Sequence, residues 1–188
     1  DSWENLKRDC AACRSCSLCE TRRNLVFGVG NEQAQIMLIG EGPGEQEDLQ
    51  GEPFVGKSGQ LLDKYLAAIE LDRNKNVYIA NIVKCRPPHN RDPKPEEQDA
   101  CISWLKEQTR LIHPKIIVCV GRIAAQRLMD PNFRVTKQHG EFINRNGFLM
   151  MGTFHPAALL RNPSQKPDAF EDFLALREKI KETCENTY

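Results

Sequence analysis

The chain has 188 residues, of which 40% are hydrophobic, so we expect a folded globular protein and exclude an intrinsically disordered one. Its formal net charge is zero, so charge alone does not indicate a nucleic-acid-binding protein, although a local basic patch remains compatible with one. No apolar run reaches the ~18 residues that a membrane span needs. We expect a single domain over residues 1–188, which is enough chain to bury a sizeable core.

Strand patterns and helix patterns alternate along the chain, which favours an α/β fold with a parallel sheet covered on both faces. In chain order, the sequence predicts a short helix at Ser2–Arg8, a strand at Gln35–Gly40, a helix at Ser58–Ile69, a strand at Val77–Val83, a helix at Pro95–Ile112, a strand at Lys115–Gly121, a helix at Arg122–Met129, a strand at Phe148–Phe154 and a helix at Asp168–Cys184. Because such sheets bind ligands beyond the carboxyl ends of their strands, the residues that follow the strands are the first candidates for a site.

Three of these strand ends carry groups suited to chemistry. Gly40, Glu41 and Gly42 follow the first strand, where the glycines let a ligand approach the main chain and Glu41 can act as a base. Asn81 lies near the end of the second strand and offers both a donor and an acceptor to a base edge. His155 follows the fourth strand, where its imidazole can donate to a developing anion. Each feature also has a plain structural interpretation: a tight turn, a satisfied buried amide or a structural histidine.

The stretch Gly51–Ser58 has the spacing of a phosphate-binding P-loop, but its residue types argue against nucleotide hydrolysis. Pro53 has no N–H to donate to a phosphate, and Glu52 would repel one. Phe54 in the same stretch has two interpretations that the sequence leaves open, a core aromatic or an aromatic face presented to a ligand.

The chain contains eight cysteines, and their spacing predicts a metal or cluster site. Four of them recur every three residues within Cys10–Cys19, a spacing that lets two thiolates reach one metal. A second pair, Cys85 and Cys101, brackets the basic loop Arg86–Lys94. No secretory signal pattern is present, which favours ligation over disulfides. Because a zinc ribbon more often has two short Cys-x-x-Cys knuckles, the asymmetric spacing favours a 4Fe–4S cluster.

Five segments resemble, in order, the family 4 uracil-DNA glycosylases, the iron–sulfur branch of the uracil-DNA glycosylase superfamily. These segments are Cys13–Arg22, Gly40–Asp48, Pro53–Gly56, Tyr78–Arg91 and His155–Pro163. The resemblance implies a three-layer α/β/α sandwich with a small central parallel sheet. It also implies one 4Fe–4S cluster, whose ligands would be Cys13, Cys16, Cys85 and Cys101.

The resemblance further implies a uracil-binding pocket. Its residues would be Gly40, Glu41, Gly42, Phe54, Asn81, Asn90 and His155. Phe54 would stack on a uracil flipped out of DNA, and Asn81 would read the Watson–Crick edge of that base. Glu41 would position the attacking water and His155 would stabilise the uracil anion, which makes these two the candidate catalytic residues. Asn90 would lie at the mouth of the pocket.

The resemblance also implies the reaction and the partner. The reaction would be hydrolysis of the bond between uracil and deoxyribose without strand cleavage, which starts base excision repair. The partner would be uracil-containing DNA, single- or double-stranded, and the loop that enters its minor groove would contain Leu159, Leu160 and Arg161. The protein would then be a cytoplasmic monomer that works on chromosomal DNA and does not contact a membrane.

A second hypothesis is a non-enzymatic iron–sulfur or zinc protein that binds nucleic acid or transfers electrons. This hypothesis accounts for the cysteines. It leaves the strand-end loops that contain Glu41 and His155 without a purpose, so the sequence favours the enzyme.

Overall fold

The computed structural model describes residues 1–188 and consists of one six-stranded sheet with eight α-helices. The strands are β1 Val29–Gly30, β2 Ile36–Gly40, β3 Val77–Asn81, β4 Ile116–Val120, β5 Phe142–Arg145 and β6 Phe148–Thr153. The helices are α1 Ser2–Ala11, α2 Glu45–Gln50, α3 Lys57–Ala68, α4 Pro95–Ile112, α5 Arg122–Leu128, α6 Val135–Gln138, α7 Pro156–Arg161 and α8 Lys166–Thr183. None of these helices has the length and apolar character required to cross a bilayer.

The sheet has the strand order β1-β3-β2-β4-β6-β5. The four inner strands are parallel, as predicted, but β1 and β5 pair antiparallel at the two edges, so the sheet is mixed. The two residues of β1 are too few to give a periodic signal. The hairpin between β5 and β6 turns at Asn146 and Gly147, which have φ values of 55° and 85°. Asn-Gly is typical of such two-residue turns and is the signal from which β5, absent from the predicted elements, could have been inferred.

Helices cover both faces of the sheet, because successive side chains of a strand point to opposite sides. Met37 and Ile39 of β2 lie in one core, which is completed by residues of α1, α4 and α5. Ile36 and Leu38 lie in a second core, which is completed by residues of α3, α7 and α8. The predicted three-layer α/β/α sandwich is confirmed.

The parallel register brings the predicted strand-end residues to one edge of the sheet. Gly40 at the end of β2 lies opposite Asn81 at the end of β3. Val120 at the end of β4 lies opposite Thr153, two residues before His155. The stretch Gly51–Ser58 follows α2 and not a strand, which agrees with the rejection of a P-loop.

Candidate active site

A cavity of about 570 Å³ opens at the carboxyl ends of the parallel strands. Its lining includes six of the seven residues predicted for the pocket, namely Glu41, Gly42, Phe54, Asn81, Asn90 and His155. The seventh, Gly40, lies directly behind the wall, because a Cβ atom there would be 2.6 Å from the Phe54 ring and 2.7 Å from Asn81 Oδ1. Gly40 therefore makes room for the cavity by having no side chain.

Asn81 lines this cavity and carries an unpaired acceptor. The residue is only 2% exposed, and its Oδ1 atom is buried without a hydrogen-bond partner. It is the one buried side-chain nitrogen or oxygen of the chain in that state. Because buried polar groups are normally paired, and an unpaired one costs about 1–3 kcal/mol, this oxygen is suited to accept a hydrogen bond from a ligand.

Phe54 forms an aromatic wall of the cavity. The residue is 6% exposed and belongs to the second core, so it is both a core aromatic and a face presented to a ligand. Its ring centroid lies 5.6 Å from that of His155, and the two planes are inclined by 33°. A planar ligand would thus find a stacking surface beside a hydrogen-bonding group.

His155 is held in one tautomer by the backbone. Its Nδ1 accepts a hydrogen bond of 3.0 Å from the N–H of Ala157 in the first turn of α7. In the neutral ring the proton therefore resides on Nε2. Burial, and then repulsion from Arg161, lower the pKa of His155 to about 4. At neutral pH the imidazole is uncharged and offers one N–H donor.

Glu41 places a carboxyl group in the same cavity. Burial raises the pKa of Glu41 above its ordinary value, and the negative charge of Asp92 raises it further. The nearby Arg122 and Arg161 oppose this shift. A carboxylate with a raised pKa accepts a proton more readily than an exposed glutamate does.

The mouth of the cavity is less basic than the sequence of the loop suggests. Asn90 Oδ1 accepts a 2.7 Å hydrogen bond from Arg86 Nε. Arg91 forms a bidentate pair with Glu97, in which both nitrogen–oxygen distances are 2.8 Å. Part of the basic surface predicted for Arg86–Lys94 is therefore neutralised within the protein.

The loop predicted to enter DNA is a short helix, α7, and its three residues do not share one environment. Leu160 is 42% exposed and Arg161 is also exposed, as a DNA contact requires. Leu159 is 1% exposed and packs in the second core, so of the three residues predicted to contact DNA only Leu160 and Arg161 are accessible at the surface. The reason is geometric, because consecutive residues of a helix point about 100° apart.

The four predicted cluster ligands line a second cavity, together with Cys19. Cys13 and Cys16 come from the segment after α1, Cys85 follows β3, and Cys101 lies on α4. Cys10 is fully buried and does not line this cavity. No three His, Cys, Asp or Glu side chains converge as the ligands of a single metal ion do, and the thiols share a small cavity of about 10 Å³.

Nitrogen donors point at three of these four sulfurs. The indole Nε1 of Trp104 is 3.3 Å from Cys13 Sγ, and a guanidinium nitrogen of Arg22 is 3.1 Å from Cys85 Sγ. The backbone N–H of Lys84 is 3.2 Å from Cys101 Sγ. Hydrogen bonds of this kind stabilise cysteine sulfurs that carry negative charge, as they do in clusters.

Residues 27–177 match the family model of the uracil DNA glycosylase superfamily. The chain belongs to this superfamily. It is 44% identical to the type-4 uracil-DNA glycosylase of Archaeoglobus fulgidus, over 98% of this chain and 94% of the relative. It is 41% identical to the type-4 uracil-DNA glycosylase of Sulfurisphaera tokodaii, over 95% of this chain and 84% of the relative. A type-5 uracil-DNA glycosylase of Pyrobaculum aerophilum is 31% identical, over 69% of this chain and 64% of that protein.

Three charged residues of this superfamily member were not singled out from the sequence. Glu47 accepts hydrogen bonds from the backbone of the cavity loops, and its position three residues after Gly44 is typical of a capping box. Arg73 donates to backbone carbonyls about 20 residues away, for which no sequence pattern exists. Lys84 is fully buried and donates to the carbonyl of Phe27 at 3.0 Å.

Proposed function

We propose that this protein hydrolyses the bond between uracil and deoxyribose in DNA and leaves an abasic site without cutting the strand. The observation that carries the proposal is the unpaired, buried Oδ1 of Asn81 at the wall of a cavity that also contains an aromatic ring and a neutral imidazole donor. The relatives named type-4 uracil-DNA glycosylases support it. In this proposal residues 1–188 act as one domain and as a monomer, on chromosomal DNA in the cytoplasm.

Recognition begins with a uracil flipped out of the strand, since a base within the stack cannot be attacked. Phe54 stacks on the flipped ring, and stacking of this kind contributes ~1–3 kcal/mol per base. Asn81 Oδ1 accepts the N3–H of uracil, and the amide nitrogen of Asn81 donates to O4. These contacts identify uracil by its Watson–Crick edge. Leu160 and Arg161 enter the DNA groove beside the vacated position.

The chemical step separates charge between the base and the sugar. As the bond from C1′ to N1 breaks, its electron pair moves to the uracil ring and negative charge develops on O2. The Nε2–H of His155 donates to this oxygen and so lowers the barrier. A water molecule adds its oxygen to the electron-deficient C1′, and Glu41 accepts the proton that the water loses. The uracil anion takes up a proton on release, and Glu41 gives up the proton that it accepted from water, so the products are free uracil and an abasic deoxyribose.

Acid should lower the excision rate by protonating Glu41 and not by protonating His155. The raised pKa of Glu41 means that its carboxylate protonates at higher pH than an ordinary glutamate, so the rate falls as the pH drops through that value. His155, with its pKa lowered to about 4, keeps its neutral Nε2–H donor at all higher pH values. Single-turnover excision rates between about pH 5 and about pH 8 measure this profile. A rate that instead falls as the pH rises through 6.5, the ordinary pKa of histidine, would contradict a neutral donor.

We also propose that the cysteine cavity holds a 4Fe–4S cluster. Four cysteines from three segments line one cavity, nitrogen donors lie against three of their sulfurs, and their spacing differs from the paired knuckles of a zinc ribbon, which together support a cluster. When bound, the cluster supplies a covalent cross-link between the segment after α1, the loop after β3 and α4. The chain's own Arg22 and Trp104 then orient the ligating sulfurs. The excision chemistry uses no residue of this cavity.

Substitution of the cysteines tests the proposed ligand set. Cys85→Ser should lose iron and the brown colour, since Cys85 is a ligand whose sulfur accepts from Arg22. Cys10→Ser should keep both, because Cys10 does not line the cavity. Iron per chain and the visible absorbance of anaerobic preparations measure the effect. Loss of iron in Cys10→Ser with retention in Cys16→Ser would show that the ligand register is shifted by three residues.

An oligonucleotide with a single uracil tests the proposed activity. After incubation with the protein and then alkali, the strand should break at the uracil position in single-stranded, U·A and U·G substrates. A thymine in place of the uracil is the control and should leave the strand whole. No break in any of the three substrates would contradict the proposal and would favour a non-enzymatic iron–sulfur protein.

A further inference from the structure

The loop that presents Phe54 has a strained backbone. Phe54 has a φ of 52°, in the left-handed region that residues other than glycine rarely adopt. Such a conformation costs of the order of 1–3 kcal/mol and persists only where the surroundings hold it. The position of the Phe54 ring in the cavity therefore depends on groups that fix this loop.

Arg73 holds the loop from beneath, outside the cavity. Its guanidinium donates to the carbonyl of Pro53 at 2.7 Å and to the carbonyl of Phe54 at 2.6 Å. Its side chain is only 9% exposed, and Asp63 fixes its orientation through nitrogen–oxygen distances of 3.1 Å and 3.0 Å. The planar fork of arginine is suited to bridge two neighbouring acceptors, which a lysine cannot do.

Glu47 holds the next two residues with the opposite charge. One of its carboxylate oxygens accepts from the N–H of Val55 at 2.9 Å and from the N–H of Gly56 at 3.0 Å. The cation thus binds the carbonyls of residues 53 and 54, and the anion binds the amides of residues 55 and 56. Together, Arg73 and Glu47 fix the backbone conformation of residues 53–56, which includes Phe54.

We infer that Arg73 is a positioning residue for the reaction, which sets the Phe54 ring in place to stack on the flipped base. The inference rests on the proposed uracil excision and adds a residue to it. Arg73 does not line the cavity, so it acts through Phe54 and does not touch the substrate.

The test is a double-mutant cycle between positions 73 and 54, measured as single-turnover excision from a single-stranded uracil oligonucleotide. Arg73→Gln should excise about 10- to 100-fold more slowly, the effect of a displaced substrate-contacting group. Arg73→Lys should be intermediate, because it keeps the charge but loses the fork. In a Phe54→Ala background, Arg73→Gln should change the rate by no more than about twofold, since the ring it positions is absent. Arg110→Gln, which removes an exposed arginine paired only with Glu107, is the charge control and should excise at the wild-type rate.

The outcomes separate the inference from the proposed function. A wild-type protein that releases no uracil contradicts the function itself. An active wild type with Arg73→Gln at the same rate, or with the same loss in the Phe54→Ala background, contradicts only the role of Arg73. If Arg73→Gln does not fold, as judged by circular dichroism, the cycle with Arg73→Lys decides in the same way.

Discussion

Replacement of His155 by alanine should slow uracil excision by about 10²–10³-fold, the usual cost of removing one donor to a developing oxyanion. His155 is the one histidine that lines the cavity. Its Nδ1 accepts a hydrogen bond from the N–H of Ala157, which leaves the ring proton on Nε2. His155→Gln should recover part of the rate, because its amide can still donate. Single-turnover excision at neutral pH is the measurement.

The histidine prediction needs a control that separates chemistry from folding. His113 caps α4 at the amino end of β4, away from the cavity, with a left-handed backbone that asparagine tolerates. His113→Asn should therefore excise at the wild-type rate. His155→Ala should keep the wild-type iron content and circular dichroism. Wild-type activity in His155→Ala would contradict the role assigned to this imidazole.

Replacement of Asn81 by leucine should lower activity and raise stability together. The unpaired Oδ1 of Asn81 weakens the free protein, and leucine of similar shape removes that buried acceptor, which should add about 1 kcal/mol to the free energy of unfolding. Loss of two hydrogen bonds to uracil should reduce the excision rate by about 10²-fold. Denaturant unfolding and single-turnover excision measure the two effects. Activity and stability change in opposite directions because the buried acceptor of Asn81 is paired only when the ligand is bound.

Asn81→Ala distinguishes the two parts of this prediction. Alanine removes the same acceptor but leaves a space beside Phe54, so the gain in stability should disappear while the loss of activity remains. A leucine variant that is both less stable and fully active would show that Asn81 is an ordinary buried amide. That result would remove the observation on which the proposed function rests.

The location of the site was predictable because it follows from register. Residues at the ends of parallel strands must share one edge, so Glu41, Asn81 and His155 could be placed together from the strand pattern alone. The environment of each residue on α7 was not predictable in the same way. The sequence Leu159-Leu160-Arg161 does not show which leucine faces the core until the helix is oriented against α3.

The supports of the site were the least predictable part. Arg73 binds the backbone carbonyls of Pro53 and Phe54. Because every residue has a backbone carbonyl, the amino-acid sequence does not show which carbonyls a distant arginine will contact. Glu47 had a local capping signal, but its contacts to Val55 and Gly56 depend on how α2 meets the next loop. The left-handed backbone of Phe54 and the contacts of Arg73 and Glu47 could therefore be identified only from the three-dimensional structure.

Detection of the released base is the most direct test of uracil excision by this protein. The protein is incubated with an oligonucleotide that carries one uracil, and with a matched one that carries thymine, and the released base is quantified by mass spectrometry. We expect stoichiometric release of uracil, an intact sugar–phosphate strand before alkali, and no release of thymine. The absence of free uracil from a preparation with its full iron content would show that this protein does not excise uracil from DNA.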